Sequence, residues 1–331
     1  MKPVDLIQVE EQGLYCPQGQ FYIDPWRPVE RAVITHAHSD HSRSGSKEYW
    51  ATSQSVPIMK HRLGADIHVN GCEFGQKIKM GDTWVSFHSA GHILGSAQIR
   101  IEHRGRVCVI SGDYKRTADP SCDPFEVVPC DSFVSEATFA LPVYKWETGA
   151  VTAKKILDWW QGDLERPSIV FCYALGKAQR ILSELKKLTD QTVYLHGAVA
   201  TLTDIYRAQG ILMLPTRLVT EAEKGYAFKG DLILAPPSGH RSPWMKRFKD
   251  PQTAFASGWM QIRGARRRRG YEKGFNLSDH ADWNELNQTI EQTTAKEVFL
   301  THGRTDVLAR YLREKSIDVR LFKTDYVDEA D

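Results

Sequence analysis

The sequence predicts an α/β fold built in layers, and three features of the chain lead there. Up to about residue 135, short apolar runs bounded by turn residues dominate, several with the apolar/polar alternation of a half-buried sheet. The middle of the chain then alternates helical and strand patterns, as βαβ units around a small parallel sheet do. Towards the end, strands and helices alternate again. With 331 residues, the chain can form two domains of roughly 150 residues or one large layered one, and either buries a substantial core.

Taken in order, residues 19–24, 31–35, 83–89, 97–103 and 106–111 read as strands. Next come a helix over 150–161, a strand over 168–173, a helix over 176–188, a strand over 192–195 and a helix over 200–209. Strands over 231–235 and 253–257 follow, then a helix over 282–293, a strand over 297–301, a helix over 304–314 and a strand over 318–323. No internal repeat is visible, and the arginine run at 266–269 is the one low-complexity stretch.

Composition is that of a folded, soluble protein: 41% hydrophobic, 10% aromatic and 25% charged residues exclude disordered and collagen-like chains. No apolar run approaches the roughly 20 residues of a membrane span, and the first 20 residues lack a signal-peptide core. The six cysteines form no C-x-x-C pair and read as reduced thiols, so the expected location is cytoplasmic, with no membrane partner. The 43 Lys and Arg against 41 Asp and Glu give a net charge of only +2, which by itself argues against a nucleic-acid partner.

Chemistry concentrates first at His36-Ala37-His38-Ser39-Asp40-His41, which follows the apolar run 31–35. Histidines two apart at a strand end project to one side, and the Asp and His of the following turn can reach a second ion. Imidazole and carboxylate are ligands that zinc accepts and that manganese or iron can share. Two further strands end in the same manner: Ser89-Ala90-Gly91-His92 after 83–89, and Ser111-Gly112-Asp113 after 106–110. Alone, each would read as a turn; their order behind the first motif makes them specific.

These motifs resemble those of the metallo-β-lactamase fold superfamily. The resemblance implies an αββα sandwich with a two-metal site at one edge. His36, His38 and His92 would hold the first metal, Asp40 and His41 the second, and Asp113 would bridge them. Asp24 falls where that superfamily has a supporting carboxylate, although on local grounds it reads equally as an Asp-Pro turn starter. Past residue 113 the pattern is similar to the β-CASP nucleases, through Val134-Ser135-Glu136-Ala137-Thr138, Leu277-Ser278-Asp279-His280-Ala281-Asp282 and Phe299-Leu300-Thr301-His302-Gly303-Arg304. His302 completes the second metal in the RNA-processing branch. Gly13-Leu14-Tyr15-Cys16-Pro17, Tyr22-Ile23-Asp24-Pro25-Trp26 and the segment 277–282 look most like the bacterial DNA ligase-associated exonucleases. The implied organisation is a first metallo-β-lactamase part over 1–140, a β-CASP insertion domain over about 141–260 and a returning part over 261–331.

What the resemblance implies is a metal-dependent DNA nuclease, exonucleolytic and acting in repair or end processing. Its cofactors would be two divalent ions, Zn²⁺ before Mn²⁺, which activate a bridging hydroxide. His280, oriented by Glu136, would act as general acid, and Asp40 joins them as a candidate catalytic residue. DNA, single-stranded or as ends, is the expected partner, with a DNA ligase and a helicase of the same pathway as further candidates.

Charge placement fits that reading where the total does not. Residues 241–273 hold ten Lys and Arg against two Asp and Glu, a local balance of +8. Arg263, Arg266, Arg267, Arg268, Arg269, Lys273 and Arg304 are candidate phosphate contacts; Trp259, with Trp244 and Phe248, could stack on bases. Gly176-Lys177 at a helix start is a weaker candidate for phosphate. Three alternatives remain open: an RNA-processing nuclease, a small-molecule hydrolase, which would not need the middle insertion, and an inactive nucleic-acid scaffold, which would be expected to have lost ligands.

Overall fold

The computed structural model describes residues 6–262 and 270–326, and these divide into two compact units. Within the described residues, one unit comprises 6–118, 122–145 and 280–326, and the other 119–121 and 146–279.

The first unit contains β1 (Gln8–Glu10), β2 (Gly13–Cys16), β3 (Phe21–Ile23), β4 (Arg31–Val33), β5 (Glu48–Thr52), α1 (Ser55–Leu63) and β6 (Val69–Cys72). β7 (Ile78–Met80), β8 (Thr83–Ser89), β9 (Ala97–His103), β10 (Arg106–Ile110) and β11 (Ser132–Ala137) follow. One six-stranded sheet takes β1 to β6 in order. A seven-stranded sheet also draws in the strands that return late in the chain.

Apolar residues of both sheets meet between them: Leu14, Phe21 and Val33 from one, Val85, Phe87, Ile99 and Val134 from the other. The alternation seen in 83–89 is the cause, because Val85 and Phe87 are fully buried while Trp84 between them is 44% exposed.

The second unit begins with α2 (Gly149–Gln161), whose N-cap Thr148 accepts from Val151 N. Next come β12 (Ser168–Phe171), α3 (Lys177–Lys186), β13 (Val193–Leu195), α4 (Gly197–Ala208), β14 (Thr216–Leu218), β15 (Leu232–Ala235), β16 (Gln252–Ala256) and β17 (Lys273–Phe275). Its strands form one parallel sheet in the order β14-β13-β15-β12-β16-β17. Every residue of β12 and β15 is buried, as strands covered on both faces require.

α3 carries a buried ionic network. Lys177 Nζ lies 3.2 Å from Asp279, and the Arg180 guanidinium lies 3.1 Å from Asp279 and 3.3 Å from Asp119. The reading of Gly176-Lys177 as a phosphate contact is therefore corrected, since Lys177 is 1% exposed and its ammonium is spent on Asp279.

The chain returns to the first unit through α5 (Trp283–Thr293), β18 (Glu297–Gly303), α6 (Thr305–Glu314) and β19 (Asp318–Leu321). The seven-stranded sheet then runs β19-β18-β11-β10-β9-β8-β7. α5 and α6 cover its outer face with Leu286, Ile290, Leu308 and Leu312, and α1 packs on β5 and β6 of the other sheet. The layers are therefore helix, sheet, sheet, helix, which is the αββα sandwich. The insertion was expected to end at residue 260; instead the second unit continues to Asp279, because β17 pairs in parallel with β16 at Ala254–Lys273 and Ala256–Phe275. β1, β2, β5, α1, β6, β7, β11, β14 and β17 had no counterpart in the periodicity, most being only three to five residues long.

None of the six cysteines, all of them among the described residues, forms a disulfide, and no described helix is long and apolar enough to cross a membrane. Replacing Phe87 by Ala should lower stability by about 3–5 kcal/mol in denaturant titration. Trp84→Ala, three residues earlier on the same strand, should cost about 1 kcal/mol or less.

Candidate metal centre

The strand directions bring the motifs together. β8 and β10 both pair antiparallel with β9 and so share a direction, and β10, β11 and β18 are mutually parallel. The carboxyl ends of β8, β10, β11 and β18 therefore lie at one edge of the sheet. His92 and Asp113 follow the first two, Glu136 lies near the end of β11, and His302 near the end of β18. β18 holds one residue more than β11 between the pairs Ser135–Leu300 and Ala137–Gly303, a bulge that falls at Thr301 and His302. The loop after β4 supplies His36, His38 and His41, tied to the other sheet by Ala97 N donating to Thr35 O at 2.8 Å. Arg62, near the end of α1, donates to the carbonyl of Ala37 within that loop. Gly112 admits no side chain: its φ is +55°, and a Cβ there would lie 2.7 Å from Thr35 Cβ.

Among the described residues three groups of ligating atoms result, the atoms of each within 4.8 Å of one another: His36, His38, His92 and Asp113; His41, Asp113 and His302; and Asp113, Glu136 and His280. Asp113 belongs to all three. The rings of His36, His38 and His92 stand 4.8–4.9 Å apart, centre to centre, and mutually edge-on at 82–84°. His92 Nε2 lies 3.0 Å from His38 Nδ1, and Asp113 Oδ2 lies 3.5 Å from His36 Nε2 and 3.8 Å from His92 Nε2. An ion with bonds of about 2.0–2.1 Å in tetrahedral geometry sets its ligand atoms about 3.3–3.4 Å apart, so the spacing suits such an ion. In the second group Asp113 Oδ1 is 3.5 Å from His41 Nε2 and 3.3 Å from His302 Nε2. Asp40, expected as a ligand there, belongs to none of the three groups, though its carboxylate comes within 3.5 Å of His41 Nε2.

Other residues aim these groups. Asp24, buried at a φ of +42°, accepts from Thr35 N (2.7 Å), Thr35 Oγ1 (2.5 Å) and His41 Nδ1 (2.7 Å). His41 thus presents Nε2 to the centre. Glu136, also buried, accepts from Tyr114 N and from His280 Nδ1, each at 2.8 Å. Ala281 N donates to Tyr114 O at 2.6 Å and pins the segment carrying His280.

Electrostatics follow from burial and proximity. Burial, helped by the charge on His41, holds the His36 ring well below its ordinary pKa. Burial also disfavours charge on His41, but Asp113 and Asp40, with the hydrogen bond to Asp24, outweigh it and raise the ring to about 10. Burial would raise Asp113, yet His41, His280, His302 and His36 hold its carboxyl well below the carboxylate range. A cation fits this donor set: His36 Nε2 and His41 Nε2 are buried and make no hydrogen bond, which is costly for polar atoms unless something binds them.

The proposed nucleic-acid contacts are more scattered. Arg263, Arg266, Arg267, Arg268 and Arg269 lie outside the described residues. Lys273 is exposed on β17, and the exposed Arg304 sits two residues past His302, 3.7 Å from Asp306. Trp259 and Trp244 are partly buried against the apolar cluster of the parallel sheet. Phe248 is 5% exposed inside that cluster, so its expected role in stacking is corrected. Of the histidines outside the motifs, His88 pairs with Glu126, His103 bonds Asp82 O and His196 caps α4.

Thr35, Arg62 and Tyr326 were missed from the sequence. Thr35 directly precedes His36 and could have been weighed with it; nothing in the sequence singles out the other two. If Asp24 aims His41, Asp24→Asn should weaken zinc binding by about 10–100-fold in competition with a chelator, with the circular dichroism spectrum unchanged.

Comparison with known proteins agrees with this geometry. Residues 273–322 match the RMMBL domain, described as a Zn-dependent metallo-hydrolase RNA specificity domain. A probable DNA ligase of Opitutus terrae is 30% identical over 310 residues, 92% of this chain but 30% of the relative. Ribonuclease TTHA0252 of Thermus thermophilus is 27% identical over 243 residues, covering 63% of this chain and 53% of the relative. An RNase J-like protein of Methanocaldococcus jannaschii is 23% identical over 256 residues, covering 69% and 60%. The chain thus spans 30–60% of the length of these curated relatives. A solved structure of a protein of unknown function from Enterococcus faecalis V583 shares the fold, with a TM-score of 0.61 at 12% identity over 90% of this chain and 80% of that one. By fold, ligand geometry and relatives, the chain is similar to the β-CASP metallo-hydrolases of the metallo-β-lactamase fold.

Proposed function

We propose that this chain is a metal-dependent phosphodiesterase that degrades DNA from an end, in repair or end processing. The observation that carries the reading is the buried pair of Glu136 and His280 set against Asp113, which also belongs to both imidazole groups. Hydrolysis of a small ester needs no such pair beyond the metal ligands.

His36, His38, His92 and Asp113 would hold one divalent ion, and His41, His302 and Asp113 a second, with Asp40 beside it. Such ions supply a water nucleophile at neutral pH and positive charge for the phosphoryl oxygens. The chain's own part is orientation and proton supply. Glu136 engages Nδ1 of His280, so the proton for the leaving oxygen would come from Nε2, and the adjacent carboxylate stabilises the protonated ring. Arg304, exposed just past His302, would neutralise a neighbouring phosphate. Zinc is the first expectation for the metal and manganese the second.

DNA is favoured because the relative matched over 92% of this chain is named a probable DNA ligase; a ligase and a helicase of the same pathway are the proposed partners. The rival substrate, RNA, is favoured by the description of the domain matched at 273–322 and by the ribonuclease relatives. An inactive scaffold would be expected to have lost ligands, and His36, His38, His92, Asp113, Glu136, His280 and His302 all stand within the three groups.

Single-stranded DNA and RNA of one sequence, labelled at the 5′ or the 3′ end, separate these readings. DNA should be shortened from one end, and both chelation and Asp113→Asn should reduce cleavage to background. His280→Ala should lower turnover by about 10²–10⁴-fold with metal still bound. Faster loss of RNA than of DNA would transfer the assignment to RNA processing, and near-wild-type turnover in His280→Ala would remove its role as acid.

A further inference from the structure

Past β19 the chain folds back onto the metal centre. Phe322 donates its backbone N–H to Leu300 O at 2.9 Å, and its ring stacks on Phe299 at 4.5 Å and 25°. Arg43, two residues after His41, donates to the carbonyl of Asp325 and to that of Trp26, both at 3.1 Å. These anchors deliver Tyr326 to the second imidazole group. Its ring lies 4.5 Å from that of His41 and stacks nearly parallel to it at 11°, 5.4 Å from that of His302 at 77°, and 5.8 Å from that of Trp26 at 81°.

We propose that Tyr326 is a positioning residue for the second ion, fixing the planes of the two imidazoles, His41 and His302, that would hold it with Asp113. The proposal rests on reading the centre as a two-ion site. Asp24 fixes one atom of His41, Nδ1, and a ring held at one atom can still pivot about it. A stacked aromatic neighbour sets the plane, and with the plane it sets the direction of the Nε2 lone pair. His302 is held at Nδ1 by the hydroxyl of Thr301 at 3.1 Å, and the edge of Tyr326 is its second restraint. The first group has its own support in three imidazoles packed edge-on, so the effect of Tyr326 should fall on the second ion. Stacking uses the ring and not the hydroxyl, so phenylalanine should serve as well.

Zinc titration against a chromophoric chelator, with ion content counted after equilibrium dialysis, tests this without reference to activity. The wild type should bind two ions. Tyr326→Ala should keep one at wild-type affinity and hold the other about 10–100-fold more weakly, while Tyr326→Phe should restore both to within about twofold. Tyr326→Leu fills the space without a stacking face and should behave as Ala does; if the Ala variant melts early, the Leu variant decides. Two ions bound at wild-type affinity by the Leu variant would overturn the proposal, as would equal weakening of both ions with no rescue by Phe. A wild type that binds fewer than two ions would instead remove the two-ion reading, and this inference with it.

Discussion

One carboxylate organises the centre. Asp113 is the single residue common to the three groups of ligating atoms, and it is buried among four imidazoles that hold it ionised. A buried negative charge is expensive unless its surroundings answer it, and here the surroundings are histidines whose own geometry is set from behind. Asp24 fixes His41, Glu136 fixes His280 and Thr301 contacts His302. Each of these partners lies on, or just after, a strand of the sandwich. The position of Asp113 thus depends on the register of the sheets, and the ligand groups depend on Asp113.

That dependence explains why the site sits at a sheet edge. β8, β10, β11 and β18 run the same way, so residues 92, 113, 136 and 302, at or just past their carboxyl ends, meet in space although they span more than 200 positions. The small residues between strand and ligand are part of the same constraint, since Gly112 lets the chain pass close to Thr35 where any Cβ would collide.

Most of this centre was legible in the sequence, because metal ligation demands particular residue types and each ligand follows a strongly patterned strand. His36, His38, His41, His92, Asp113, Glu136, His280 and His302 all fall into the three groups. Asp40 is the exception, lying near the second group without joining it. Short strands such as β1, β7 and β17 were not legible, since three residues carry no period, and missing β17 is what placed the end of the insertion at 260 instead of 279. Tyr326 was invisible for another reason: nothing in an isolated tyrosine near the end of the chain signals the fold of residues 322–326 over His41. Phe248 and Lys177 were misjudged because exposure is a tertiary property, and both are buried. The net charge of +2 is likewise an average over the whole chain, and it hides a +8 segment.

These buried imidazoles and carboxylates would hold two divalent ions, with Asp113 offering an oxygen to each group. Crystals of the zinc-loaded protein, with diffraction recorded on both sides of the zinc absorption edge, test it most directly. Two anomalous peaks are predicted, one among His36, His38, His92 and Asp113, the other among His41, His302 and Asp113. Zinc-loaded crystals with no peak at these residues, or with zinc held only elsewhere on the chain, would rule out a two-ion centre here.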